Sequence, residues 1–224
     1  MFERGGVYRT ESAIIAKSGV SYGSFGNGAK PAIYGSARNY ARGGLFVPDY
    51  HRVENLWKLN LPTRNTGIIV FNHGEAVGRK TFNGIEDLKQ NGDFYHNTEH
   101  RTLFMYMDTG NPQDVYKDIE IGTNDDIFTV PKNTQNVVFD NLCLKYTGSF
   151  CINIRQNIKG IVVKNCEMGW VGGSTFTPRR PKTRYGNAVQ FWESTYDALV
   201  ENNWIYQCYD TAITPQGDLL CERI

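Results

Sequence analysis

The sequence predicts an all-β chain wound as a single-stranded, right-handed parallel β-helix, a solenoid truncated at its C-terminal end. Three observations carry this. With Gly 23, Tyr 13 and Phe 12, the apolar stretches are only four or five residues long and are separated by Asn, Gly, Asp and Thr; that is the pattern of many short strands and turns. Segments of the second half align as repeats. Each aligned segment is followed by a third short strand, and parallel crossovers are right-handed in nearly all cases.

The repeat is visible when "NVVFDNLCLKY" (136–146), "GIVVKNCEMGW" (160–170) and "DALVENNWIYQ" (197–207) are superposed on Asn141, Asn165 and Asn202. Val137, Ile161 and Ala198 then share a column, as do Phe139, Val163 and Val200, and Leu144, Met168 and Ile205. Each alternates with polar positions, as half-buried strands require. The third strands are "CINIR" from Cys151, "AVQFW" from Ala188 and "AITPQ" from Ala212. The Asn spacings are 24 and 37 residues, and the 13 extra residues are accounted for by one long loop, "GGSTFTPRRPKTRYGN". Stacked Asn residues suit a left-handed corner and pass amide hydrogen bonds between repeats, so the column is read as structural.

The rest of the chain is assigned in order. Residues 1–82 are irregular N-terminal coils, with "SAIIAKSGVSYGSFG" and "KPAIYGSA" as early coils and "VENLWKLNLP" and "TGIIVFNHGEAVGRK" as strands. Residues 83–117 are an inserted turn, "NGIEDLKQNG", followed by a hairpin, "GDFYHNTEHRTLFMYMDTGNP". Residues 118–224 are regular coils, and "DLLCERI" from Asp218 opens a further coil that stops. The whole is one domain, with oligomeric state open.

Composition narrows function. With 24 basic and 23 acidic residues the net charge is +1, so no global field draws in nucleic acid. No apolar run approaches the roughly 20 residues of a membrane span, and "MFERGGVYRTESAI" lacks the apolar core of a signal peptide. Five cysteines without a C-x-x-C pair fit neither a complete disulfide framework nor a zinc ribbon and are read as buried thiols. "HGE" at 73–75 is a turn, since no second His stands at metal-binding spacing.

The phrases "FERGGVYR", "GVSYGSFGNGAKPAIYGS", "LFMYMDTGNP" and "RYGNAVQFWES…YDTAITPQG", with the three-strand coil and Asn corner, resemble right-handed parallel β-helix proteins of the pectate-lyase-like superfamily. The likeness is greatest to bacterial repeat proteins grouped with carbohydrate-active enzymes. It implies a secreted or cell-surface protein whose partner is a polysaccharide or oligosaccharide, and a chain that is a piece of a longer solenoid. It implies a glycoside hydrolase first, a polysaccharide lyase on a uronate-containing glycan second, and a non-catalytic glycan-binding repeat protein third. No cofactor is called for; Ca²⁺ enters only with the lyase.

In that family the strand after the long loop lines the substrate groove. Carried onto this chain, the groove floor is the outward row Asn153, Gln190 and Thr214, flanked by Arg155, Trp192 and Gln216, with Ile152, Val189 and Ile213 as core wall. Amides and carboxylates satisfy sugar hydroxyls, and an indole covers a pyranose face. Trp192 is read as binding and Trp170 as a corner cap. Hydrolysis needs two facing carboxylates. Asp210 and Glu193 are the first choice and Glu167 the alternative, while Asp197 stabilises its own turn. Relatives often carry an acid where this chain has Gln190, which cannot transfer protons. The loop beside the groove supplies Arg179, Arg180, Lys182, Arg184 and Tyr185; guanidinium groups suit uronates or sulfates.

Overall fold

The computed structural model describes residues 1–50, 53–61, 65–177 and 180–217. Strand makes up 46% of the described residues and helix 5%, so the class is all-β. "DLLCERI", expected to open a further coil, lies outside the described residues.

Three parallel sheets organise the molecule. One contains Ile14–Ile15, Phe128–Val130, Ile152–Ile154, Val189–Phe191 and Ile213–Pro215 as successive neighbours. A second stacks Ser21–Tyr22, Gln135–Asp140 and Ile158–Lys164, the last pairing with both Thr195–Tyr196 and Leu199–Glu201. The third stacks Val7–Arg9, Ala32–Tyr34, Cys143–Thr147, Glu167–Val171 and Trp204–Cys208. From Ile14 onward the chain visits these sheets in constant order, so each passage lays one strand beside its predecessor in every sheet.

The expected columns are in register. Val137 pairs with Ile161, Phe139 with Val163 and Val163 with Val200, and Leu144 with Met168 and Met168 with Ile205. Ile152 pairs with Val189 and Val189 with Ile213. Their side chains meet in one continuous core between the sheets, which Phe128, Phe139 and Phe191 fill. Burial of this kind is the main stabilising term, at about 25 cal/mol per Å² of apolar surface.

Corners are set by left-handed residues. Asn141, Asn165 and Asn202 have φ of 61°, 53° and 54°, which Asn tolerates better than most residues. Their amides do not bond one another along the column; Asn165 Nδ2 instead donates to Asp140 Oδ1 at 2.8 Å. The amide ladder appears at a different corner, where Asn157 Nδ2 donates to Asn133 Oδ1 at 2.6 Å. Asp197, at φ 52°, shares another left-handed column with Asn136 and Gly160, at φ 54° and 69°. Trp170 also turns left-handed, at φ 57°, and its ring lies on Gly74, where a Cβ would come within 2.5 Å of it.

Between Tyr34 and Phe128 the chain leaves the parallel sheets. The departure begins well before residue 83: Val47–Pro48, Leu56–Asn60, Thr102–Tyr106 and Phe94–Asn97 form one antiparallel sheet. Thr66–Phe71 pairs antiparallel with Ala76–Val77 and Ile119–Thr123 in another. This insertion has its own core around Phe71, Phe94, Leu103 and Ile121. Its apolar alternation is that of any half-buried strand, so the sequence pattern does not distinguish parallel from antiparallel pairing. The turn at 83–92 contributes only the 3-10 segment Ile85–Asp87, while the α-helical turn is Pro112–Val115, capped where Gln113 N donates to Asn111 Oδ1. Arg9 clamps the insertion to the first strands through two 2.6 Å bonds to Glu120, which is fully buried.

Cys143, Cys151 and Cys166 are buried free thiols and Cys208 is half-buried. Burial pushes the thiols of Cys143, Cys166 and Cys208 up to about 11, the environment of inert rather than nucleophilic sulfur. Cys221 lies outside the described residues. The 13-residue excess of the long repeat is an antiparallel hairpin, Ser174–Thr177 with Arg180–Tyr185, raised beside the first parallel sheet.

Candidate functional site

The outward side of the sheet containing Ile152–Ile154 and Val189–Phe191 carries a cleft of about 580 Å³. Its floor is one register row: Thr129 pairs with Asn153, Asn153 with Gln190, and Gln190 with Thr214. The expected row is therefore present, but Asn153 and Gln190 are each only 1% exposed. Groups this buried must be satisfied internally, and they are.

Asp126, buried at the mouth of strand Phe128–Val130, is the centre of that network. Ser149 Oγ donates to its Oδ1 at 2.7 Å, and Thr129 Oγ1 and Asn153 Nδ2 donate to its Oδ2 at 2.7 Å each. Asn153 Oδ1 in turn accepts from Trp192 Nε1 at 3.0 Å. One repeat on, Asn187 Nδ2 donates to Gln190 Oε1 at 2.5 Å, and Gln190 Nε2 donates to Phe191 O and Thr214 O at 3.0 and 3.3 Å. Asn187 Oδ1 accepts from the backbone and hydroxyl of Thr211 at 3.0 and 3.1 Å.

The walls are aromatic and charged. Tyr185 from the hairpin packs on Phe150 at 5.3 Å between ring centroids. Arg155, Trp192, Asp210 and Gln216 also line the cleft, so seven of the expected groove residues, with Asn153, Gln190 and Tyr185, are brought together. Asp125 lines it as well and is only half-buried, with a long 3.4 Å contact from Thr123 Oγ1.

The remaining expected residues are elsewhere. Asp210 N donates to Gly186 O at 3.2 Å, ahead of strand Val189–Phe191, whereas Glu193 follows that strand, its Cβ 2.7 Å from where a Gly217 Cβ would stand. The two carboxylates thus flank opposite ends of a strand, on the order of 20 Å apart at strand rise, and do not form a pair. Glu167 lies on a different sheet, ion-paired to Lys145 Nζ at 2.5 Å and accepting from Tyr206 OH at 2.9 Å. Burial alone would push Glu167 up, but Lys145 and Tyr206 outweigh it and hold the carboxyl below its usual range. Its charge is committed to that ion pair. Thr214 shares the floor row without lining the cleft, its carbonyl spent on Gln190.

Of the basic hairpin's cations, Arg184 is engaged away from the cleft. Arg184 donates to Gly173 O at 2.7 Å and Gly67 O at 3.1 Å and lies 4.1 Å over the Tyr209 ring, among groups that are not part of the cleft lining. Lys182 is exposed. Arg180 opens the strand Arg180–Tyr185, and Arg179 lies outside the described residues.

Asp125, Asp126, Asn124 and Ser149 were not anticipated. The signal that finds them is the register itself: Phe128 pairs with Ile152, so "NDDIF" precedes its strand as "GSFC" and "GNAV" precede theirs. Starting the alignment at Asn136 leaves out that earlier repeat. Among the described residues no three His, Cys, Asp or Glu side chains stand close enough together to hold a metal ion, and no helix is long and apolar enough to cross a membrane. No protein-family model, curated protein or solved structure matches the chain.

Proposed function

We propose that the protein is a right-handed parallel β-helix that binds a glycan along this cleft and hydrolyses it, as a secreted or cell-surface carbohydrate-active protein. The constant order of strands through three parallel sheets supports the helix. The observation that carries the function is the cleft, in which Trp192 and Tyr185 stand beside Asp125, Asp126 and Asp210. Rings supply a stacking surface for pyranose faces and carboxylates accept from sugar hydroxyls.

Hydrolysis requires two carboxylates about 5 to 9.5 Å apart, across one glycosidic bond. Asp125 and Asp126 are adjacent and both line the cleft. Asp126 is held rigid by three donors, which suits the carboxylate that must stay in place beside the anomeric carbon. Asp125, half-buried and held by one long contact, has the access of a proton carrier. Asp210 precedes a strand three positions further along the sheet, about 14 Å at strand spacing, and contacts a sugar beyond the cleaved bond. Gln190 transfers no proton, and its amide serves the floor.

The test is product analysis on a panel of polysaccharides. New reducing ends without near-ultraviolet absorbance identify hydrolysis, and an unsaturated, absorbing product identifies a lyase instead. Asp126→Asn and Asp125→Asn are each expected to lower turnover by at least about 100-fold while leaving glycan affinity within a few-fold. Binding without turnover in the unaltered chain would make the protein a non-catalytic glycan binder, a reading that the fully engaged Gln190 amide also favours.

A further inference from the structure

Resting on the glycan reading of the cleft, we infer that it selects a sugar chain free of carboxylate and sulfate groups, and discriminates against polyuronates and sulfated glycans. Charge is the first reason. Among the described residues the lining contains three carboxylates, Asp125, Asp126 and Asp210, against one guanidinium, Arg155. Like charges in a partly desolvated groove repel more strongly than in water, and such juxtaposition is how binding sites reject wrong partners.

Hydrogen-bond polarity is the second and independent reason. Carboxylates and sulfates bring only acceptors, so a site for them must offer free donors. Here the floor's donors are spent inside the protein: Trp192 Nε1 on Asn153, Asn153 Nδ2 on Asp126, Asn187 Nδ2 and both bonds of Gln190 Nε2 within the floor. Arg184 of the hairpin is spent on two backbone carbonyls. Apart from the Arg155 guanidinium and the Gln216 amide, what the described lining leaves open are acceptors. Asn124 Oδ1 is buried in the lining with no partner among the described residues, and Asp125 and Asp210 are accessible. A buried acceptor without a donor is costly, and a ligand hydroxyl relieves that cost. An acceptor-rich cleft beside an indole therefore fits a ligand made of hydroxyl donors and C–H faces, which is an uncharged pyranose chain.

The experiment is calorimetric titration of the full chain, in EDTA and again with Ca²⁺, at low and at physiological salt. The probes are neutral hexasaccharides of glucose, xylose, mannose, galactose and N-acetylglucosamine, set against hexagalacturonate and a sulfated hexasaccharide. At least one neutral probe is expected to bind about tenfold or more tighter than either anionic probe, with the gap narrowing as salt rises. Asp125→Asn/Asp210→Asn, checked for an unchanged melting profile, is expected to shrink the gap by raising affinity for hexagalacturonate. An anionic probe that binds as well as or better than every neutral one, with or without Ca²⁺, overturns this inference and leaves the glycan reading standing. A gap unmoved by the double substitution overturns the charge argument. Failure of every probe to bind overturns the glycan reading and this inference together.

Discussion

Asn153 holds two neighbours of opposite character with one amide. Trp192 Nε1 is only a donor and the Asp126 carboxylate is here an acceptor, so the amide has a single workable orientation. It links the Asp126 carboxylate to the Trp192 ring across the cleft floor. Asn153→Leu keeps approximate volume and removes both bonds, while Ser149 and Thr129 still hold Asp126. The expected cost is about 1–3 kcal/mol of stability, with a Trp192 indole more accessible to acrylamide. The measurement is fluorescence quenching of Asn153→Leu with and without Trp192→Phe. Unchanged Trp192 quenching would mean that packing against the cleft wall, rather than Asn153, positions the ring.

At the scale of elements, corners decide where strands end. Asn165 occupies a left-handed conformation and also bonds Asp140, so its backbone and side-chain contributions are separable. Asn165→Ala places a Cβ residue at φ 53° and loses the bond, and should cost about 1–2 kcal/mol. Asn165→Gly loses the bond but relieves the backbone, and should cost clearly less. Denaturant unfolding of the two variants checks this; equal losses would assign the whole effect to the Asp140 bond. The same corner shows what is readable in sequence. Asn141, Asn165 and Asn202 announce their turn because Asn is enriched at positive φ, whereas Tyr146, Trp170 and Gln207 turn left-handed too, at φ 61°, 57° and 50°, with no shared residue type to reveal it. Strand register recovers that second column because Lys145 pairs with Gly169 and Thr147 with Val171, the residue between being skipped.

For the whole molecule, legibility follows the range of the contacts. The core columns repeat at fixed spacing, so Val137, Ile161 and their neighbours were readable as stacked strands. Asp125 and Asp126 were not, because the insertion separates their repeat from the earlier one in sequence, and it is pairing in space, such as that of Phe128 with both Ile14 and Ile152, that joins them. The Asp210–Glu193 pairing failed for a related reason: repeat alignment gives height along the stack and says little about which end of a strand a side chain occupies.

Long-range burial also sets how stability varies with pH. Burial, with Arg184 nearby, pushes Lys80 down to about 7 from 10.5, although its Nζ donates to Asn65 Oδ1 and Thr66 O at 2.6 Å each and to Thr175 Oγ1 at 3.3 Å, tying the insertion to the hairpin. Between these two values the unfolded chain binds more protons than the folded one, so stability rises with pH. Burial likewise pushes His96 down to about 4 from 6.5, so stability falls as pH drops through that window. The thiols act oppositely: raised from 9.0 to about 11, Cys143, Cys166 and Cys208 favour the fold below pH 9 and lose that contribution as pH climbs through 11. Together these place the stability maximum near pH 9, with Lys80 responsible for a rise of up to about 2 kcal/mol between pH 7 and 9. Urea unfolding at pH 5, 7, 9 and 10.5 should trace a climb, a maximum and a decline. Lys80→Met should flatten the segment from pH 7 to 9 while leaving the acid limb, to which His96 contributes, in place. An identical slope from pH 7 to 9 in Lys80→Met would show that the amine is solvated in solution and that its three hydrogen bonds do not hold the hairpin to the insertion.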